Sequence, residues 1–226
     1  MKRLVKAFIT LLAVTNVSCS KSNDVDQFDP NSSTAIEFED NAVAKLCIEN
    51  FDLNGDNELS YKEASSVIYL KDIFKNNQDI FYFDELKYFI GLKSINSQFW
   101  NCGNLRKVTI PKYVEDSKFA FRDCDNLSHV TLMDGLTFIG AKAFQKCALK
   151  VIDIPASVTS IGLFAFEYCY SLQEVTVHAI QPPIQESNYS CIGNWARVIY
   201  IPSSSIDSYK STDGWSVWSN KYKAIQ

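Results

Sequence analysis

Between Phe99 and Val177 the apolar and polar positions repeat one frame four times, Phe-x-x-Cys-x-x-Leu-x-x-Val/Ile-x-Ile/Leu. The copies start at Phe99, Phe121, Phe144 and Phe166, and Cys102, Cys124, Cys147 and Cys169 follow at intervals of 22, 23 and 22 residues. The end of each copy alternates apolar with polar, which predicts a short strand. Val130 and Leu132 should point inward there, and His129 and Thr131 outward. A second signature precedes two of the copies, Leu136-x-x-Ile139-Gly140 and Val158-x-x-Ile161-Gly162, and Leu92-x-x-Ile95 is a shortened version. Each turn of chain should therefore carry two extended pieces. No single turn can bury its apolar face alone, so such units form arrays whose two ends differ from the middle.

The flanks read differently. From Asp40 to Phe51, Val43, Leu46, Cys47 and Phe51 keep helical spacing, with Asp40 placed to cap the first turn. A second helix should open at Tyr61, followed by an apolar cluster of Phe81, Phe83, Leu86, Tyr88 and Phe89. Residues 35–91 thus form a helical N-terminal cap, residues 92–180 the repeats, and residues 181–226 a degenerate turn and a C-terminal cap. In the last section neither proline of Gln181-Pro182-Pro183 can donate to a ladder. At the N-terminus, Lys2, Arg3 and Lys6 precede an apolar run, Ala7 to Val14, too short to span a bilayer. Residues 1–18 read as an export signal and residues 19–34, rich in Ser, Asn and Asp, as a tether. Ser18-Cys19 resembles a bacterial lipoprotein cleavage site, at which Cys19 would be lipidated. Asn16 stands where Leu is usual, so ordinary signal-peptidase cleavage is the alternative.

The repeat frame, with Ile-Pro after its second strand and Ser-Ile-Gly before Ala-Phe, resembles the BspA-like leucine-rich repeat family of bacterial surface proteins. Resemblance extends from about Ile36 to Ile225. It implies an α+β repeat fold, a right-handed leucine-rich-repeat solenoid with a helical N-terminal cap and a C-terminal cap in which a short helix and a Trp cover the open end. The family departs from this chain at Tyr113 to Lys118, where Ser-Ile-Gly is lost, and after Cys147, where one residue is missing before Leu149. Those turns should be irregular.

One stretch carries a chemical motif. Asp52-Leu-Asn54-Gly-Asp56-Asn57-Glu58-Leu59-Ser60-Tyr-Lys-Glu63 is a twelve-residue loop with oxygen donors at positions 1, 3, 5, 9 and 12, the EF-hand pattern. Six to eight hard oxygens must converge on Ca2+, so Asp52, Asn54 and Asp56 would supply side chains, Glu58 its backbone carbonyl, Ser60 a direct or water-mediated contact, and Glu63 both carboxylate oxygens. Asn57 stands where Gly usually makes the sharp turn, and Asn is the next most tolerant of a left-handed backbone. A lone loop of this charge suggests a weak structural site, on the order of 0.1–1 mM. Ser60-x-x-Glu63 also reads as a capping box, and an Asx-rich turn that binds nothing is the simpler alternative.

Composition adds exclusions. The net charge of −4, with no basic run after Lys6, argues against nucleic acid as a partner. Seven cysteines in an exported chain would ordinarily suggest disulfides, but four recur at one inward position on rungs about 4.8 Å apart, wide for a disulfide. Buried free thiols are expected. Of the two histidines, His129 should be a solvated strand residue facing away from Cys124, and no nucleophile or phosphate motif is present, so the chain reads as non-catalytic. What remains is binding through the outward ladders, with Lys107, Thr109, His129, Thr131, Asp153, Glu174 and Thr176 as the candidate partner-binding face. The resemblance implies a monomeric outer-membrane or cell-surface lipoprotein of a Gram-negative bacterium that adheres to an extracellular protein, touching the membrane only through its lipid anchor. A glycan-binding accessory lipoprotein or a structural envelope component is the alternative. A broad polar and apolar sheet face would favour protein, and an exposed aromatic platform near Trp100 or Tyr170 would favour glycan.

Overall fold

The computed structural model describes residues 28–186 and 192–225. Residues 1–18, most of 19–34 including Cys19, and Cys191 lie outside them.

Helix α1 (Asn41–Phe51) begins where Asp40, in an extended conformation, accepts from the amides of Ala42 and Val43. Its buried stripe is Val43, Cys47 and Phe51. Helix α2 (Tyr61–Ser66) opens on a complete Ser60/Glu63 capping box. Strand β1 (Tyr82–Phe83) runs straight into a 3-10 turn, Asp84–Tyr88. Then come β2 (Lys107–Ile110), β3 (His129–Leu132), the two-residue β4 (Phe138–Ile139), β5 (Val151–Ile154), β6 (Ser160–Ile161), β7 (Glu174–Val177) and β8 (Ile184–Gln185). Short helix α3 (Ile192–Trp195), β9 (Val198–Ile201), α4 (Ile206–Ser211) and β10 (Tyr222–Ala224) complete the chain.

All strand pairs are parallel, and the register follows the frame: Val108 lies opposite Val130, Ile152 opposite Val175, and Val175 opposite Ile199. The second signatures form their own ladder, β4 pairing with β6, and β6 pairs in turn with β8. Where Tyr113 to Lys118 lacks Ser-Ile-Gly, that pairing shrinks to a single bridge between Ser94 and Asp116. The glycines of the signature have a steric reason. A Cβ on Gly140 would meet the Ser117 carbonyl carbon at 2.5 Å, and one on Gly162 would meet the Ala141 nitrogen at 2.5 Å, so adjacent turns pack backbone against backbone.

The core is a set of ladders. Phe99, Phe121, Phe144 and Phe166 stack with centroids 5.0, 5.6 and 5.3 Å apart and nearly parallel planes. Each buried thiol donates to the carbonyl of the preceding rung's phenylalanine: Cys124 to Phe99 at 3.0 Å, Cys147 to Phe121 at 3.2 Å, Cys169 to Phe144 at 3.0 Å. None of Cys47, Cys102, Cys124, Cys147 and Cys169 is in a disulfide. This position wants a small apolar group with a weak donor, which a thiol supplies and which explains why cysteine recurs here.

The ladders reach further toward the N-terminus than the expected start of the repeats at residue 92. Phe74 stacks on Phe99 at 5.2 Å, and Cys102 donates to the Phe74 carbonyl at 3.0 Å. β1 pairs with β2, setting Phe83 opposite Val108. Phe74, Asn77, Ile80 and Phe83 hold the Phe, Cys, Leu and Val places of the frame, so a further repeat turn lies within 67–83.

At the missing residue after Cys147 the main sheet divides. One sheet has the order β1-β2-β3 and the other β10-β9-β7-β5, with no ladder joining β3 to β5. At the far end Tyr209 and Trp215 are fully buried; the Tyr209 hydroxyl donates to Ala179 O at 2.8 Å and Trp215 Nε1 to Pro183 O at 2.8 Å.

Candidate functional site

Three places could carry chemistry or binding: the loop at 52–63, the outward sheet face, and the corner where the repeat is shortened.

The loop is held by its own polar groups. Asp52 Oδ1 accepts from the Gly55 amide at 2.7 Å and Oδ2 from the Asn57 amide at 2.9 Å. Asn54 Oδ1 accepts from the Asp56 amide, its Nδ2 donates to Asp56 Oδ2, and Asp56 Oδ1 accepts from the Glu58 amide. Asn57 adopts φ +63°, the left-handed turn expected of it. The Glu63 carboxylate is fully engaged. Oε1 accepts from the Leu53 and Asn54 amides at 2.9 and 3.3 Å, and Oε2 from the Ser60 amide at 2.9 Å and the Ser60 hydroxyl at 2.7 Å. Those contacts fill the roughly four acceptor positions a carboxylate has. Burial pushes the pKa of Glu63 up, but the bonds from Ser60, Leu53 and Asn54 outweigh it and the net shift is downward. The oxygen donors are of the kind calcium takes, yet here they are turned onto the loop's own amides. Among the described residues no three His, Cys, Asp or Glu side chains converge as a metal requires. As folded, the Glu63 carboxylate is committed to the loop's own donors.

The outward face is a real surface over only part of its expected extent. Lys107 stands beside His129 and Thr109 beside Thr131, but the 3-10 turn Asp84–Tyr88 folds over this end. Thr109, expected outward and free, is only 7% exposed and donates its hydroxyl to Asp84 Oδ1 at 3.0 Å. Lys107 forms an ion pair with the same carboxylate. Thr109 therefore leaves the candidate face, because alternation fixes which way a side chain points but not what lies over it. Beyond β2 the face opens. His129, Thr131, Asp153 and Glu174 are exposed and Thr176 half-buried, with Val151 about half exposed among them. Register sets Asp153 beside Thr176 and Thr176 beside Tyr200. His178, just past β7, brings Nε2 to 2.6 Å from Asp153 Oδ1, a contact the frame gave no hint of.

Nothing in this face resembles an activated nucleophile. The Ser128 hydroxyl lies 2.9 Å from His129 Nδ1, a contact between neighbouring exposed residues. Cys124 is buried with its thiol on the Phe99 carbonyl, and burial holds it well above the usual thiol range, the wrong direction for a thiolate.

The third place is the corner on either side of each Cys of the frame. Two aromatic positions singled out in the sequence behave differently there. Trp100 is half-buried, flanked by Lys75 and Arg122 at 5.3 Å each, and donates through Nε1 to Asp123 Oδ2 at 3.0 Å. Tyr170 is 68% exposed and forms a group with Tyr168 at 5.9 Å and Trp195 at 4.7 Å, both also exposed. A pocket of about 480 Å³ beside them is lined by Asp125, Lys146, Tyr168 and Tyr170. Its signal in the sequence was the single residue missing after Cys147.

The family described as BspA type leucine rich repeat region (6 copies) matches residues 93–210. Among solved structures, the chain is similar to a leucine-rich repeat protein from Bacteroides ovatus, with 25% identity over 69% of this chain and 39% of that one, and a TM-score of 0.44. It is also similar to a leucine rich cell surface protein from Faecalibacterium prausnitzii, with 23% identity over 59% of this chain and 52% of that one, and a TM-score of 0.38. The chain thus spans about two fifths and one half of the lengths of these two proteins. No curated protein matches it.

Proposed function

The chain belongs to the BspA-type leucine-rich repeat family, whose pattern covers just over half of it, and from that premise we propose a non-catalytic interaction protein of the cell surface. Its partner is a protein outside the cell, of the host or of another cell, and the contact surface is the open face of the neighbouring strands β3, β5, β7 and β9. One observation supports this most: the exposed strands form a broad face that mixes Thr131, Asp153 and Glu174 with apolar Val151 and the edge of Tyr200. A mix of polar and apolar groups is the composition of ordinary protein–protein interfaces.

In this reading the rungs coil right-handed, residues 35–66 and 181–226 cover the two ends, and export is directed by residues 1–18. Cys19 carries the lipid that holds a monomer at the outer membrane. Among the described residues no helix is long and apolar enough to cross a bilayer. Calcium at Asp52, Asn54, Asp56, Glu58, Ser60 and Glu63 rests on the spacing of those donors alone, since Glu63 would have to exchange its amide bonds for the ion.

The test is binding of the purified chain to an array of extracellular matrix proteins, in calcium and in EGTA. Saturable binding to one partner supports the reading, and binding to none contradicts it. A melting temperature unchanged between calcium and EGTA removes the ion from the account.

A further inference from the structure

The pocket at the shortened corner lies apart from the sheet face and has a distinct origin. In the frame, Asp125 and Tyr170 hold the same place, one residue after the cysteine, on rungs separated by a single intervening rung. That intervening rung has Ala148 there, and it is the rung that lacks a residue before Leu149. Asp125 and Tyr170 are exposed while Ala148 is half-buried. The deletion therefore lowers one rung between two that stand proud, and the result is a notch rather than a flat corner. Its volume of about 480 Å³ is in the range of small-ligand sites.

The lining is chemically mixed. Tyr168 and Tyr170 supply aromatic area at the cost of few rotatable bonds, and Trp195 supports Tyr170 edge-on at 73°. Asp125 supplies an acceptor carboxylate. Lys146 also lines the notch, its ammonium 3.0 Å from Asp123 Oδ1, a carboxylate that Arg122 Nε also reaches at 3.3 Å. Aromatic faces beside a carboxylate suit a ligand that has an apolar C–H face and hydroxyl donors at its rim. An anionic ligand would have to approach the Asp125 carboxylate.

We propose that this notch binds a sugar unit of a neutral oligosaccharide, with Tyr168 and Tyr170 against the ring and Asp125 accepting from its hydroxyls. It is a second recognition site, independent of the protein-binding face, and neither needs the other.

The test is calorimetric titration of the full chain with maltoheptaose, cellohexaose, xylohexaose, mannohexaose and trigalacturonate, each up to about 10 mM, where even weak single-site binding is measurable. Saturable binding of at least one neutral sugar is expected. Tyr170→Ala should weaken it at least about tenfold, as loss of a central aromatic contact does. Asp125→Ala should weaken it severalfold, and Thr131→Ala on the sheet face should leave it unchanged. Because Tyr170 is exposed, its replacement should leave the circular dichroism spectrum as it was. The proposal is overturned if no neutral sugar binds, if only trigalacturonate binds, or if binding survives Tyr170→Ala. It is equally overturned if Tyr170→Ala abolishes binding to a matrix protein while no sugar binds, which would make the notch a protein contact.

Discussion

Asp40 joins the helical segment to the repeats, and its removal should be felt at both. Oδ1 accepts from Ala42 and Val43 at 2.8 and 3.3 Å, capping α1, while Oδ2 accepts from Phe81 and Tyr82 at 2.6 and 3.2 Å, at the start of β1. In Asp40→Ala the lost cap costs about 1 kcal/mol. The two strand amides lose a charged acceptor at about 1 kcal/mol each, the low end for such bonds because Phe81 and Tyr82 are half-exposed and water can reach them. The sum is about 3 kcal/mol, or a fall in melting temperature of roughly 6–12 °C for a chain of this size. Asp40→Asn keeps an acceptor for the helix but turns an amide donor toward Phe81 and Tyr82, so it should recover only about 1 kcal/mol of that. Denaturant titration measures the total, and hydrogen exchange locates it. Because a repeat array couples mainly neighbour to neighbour, protection should fall over 41–51 and 81–88 and hold over 143–177. A loss below about 1 kcal/mol, or one confined to α1, would refute the idea that this carboxylate ties the two parts together.

Other perturbations test separate parts of the structure. Glu63 has a folded pKa below its ordinary value, so it contributes stability that is present above the unfolded pKa, about 4.3, and is lost as pH falls through the folded pKa. Denaturation midpoints measured from pH 6 downward should thus fall more steeply in wild type than in Glu63→Gln, and parallel curves would contradict the bonding described. Mass-mapped labelling with a thiol reagent should leave Cys47, Cys102, Cys124, Cys147 and Cys169 unmodified in the native protein and modify all five in guanidinium; rapid native labelling of Cys124 would mean that its rung is open. Gly162→Ala places a methyl 2.5 Å from the Ala141 backbone and should cost about 2 kcal/mol or more. Gly55→Ala meets no atom within 4 Å and suffers only from φ +76°, so about 1 kcal/mol is expected.

Much of the fold could be read from four residue types. Phe, Cys, Leu and Val recur because each stacks on its own kind, and the paired strands keep the register that the alignment of copies predicts. The earliest rung was hidden because it keeps the shape of the frame but not its letters. Asn77 stands for Cys and Phe83 for Val, and the chain leaves Phe83 for a 3-10 turn rather than Ile-Pro. That same turn explains Thr109: periodicity reports the direction of a side chain, whereas burial depends on a segment 25 residues away in sequence. The loop at 52–63 shows the converse limit. Its donors were legible, but spacing does not say whether an oxygen faces an ion or a neighbouring amide, and Glu63 faces four protein donors. The missing residue after Cys147 was visible as a departure. Its consequences, a divided sheet and an aromatic-lined notch, required the neighbouring rungs to be in place.

The central claim is that the open strands from β3 to β9 form the protein-binding face. The direct measurement is the affinity of the full chain for whichever matrix protein it captures, compared with that of a Thr131→Arg, Asp153→Lys, Thr176→Arg triple variant and of Lys45→Ala, an exposed control on α1. The account predicts at least a tenfold loss in the triple variant, as when the centre of an interface is disrupted, and none in the control. Equal affinity of the triple variant and the wild type would contradict it.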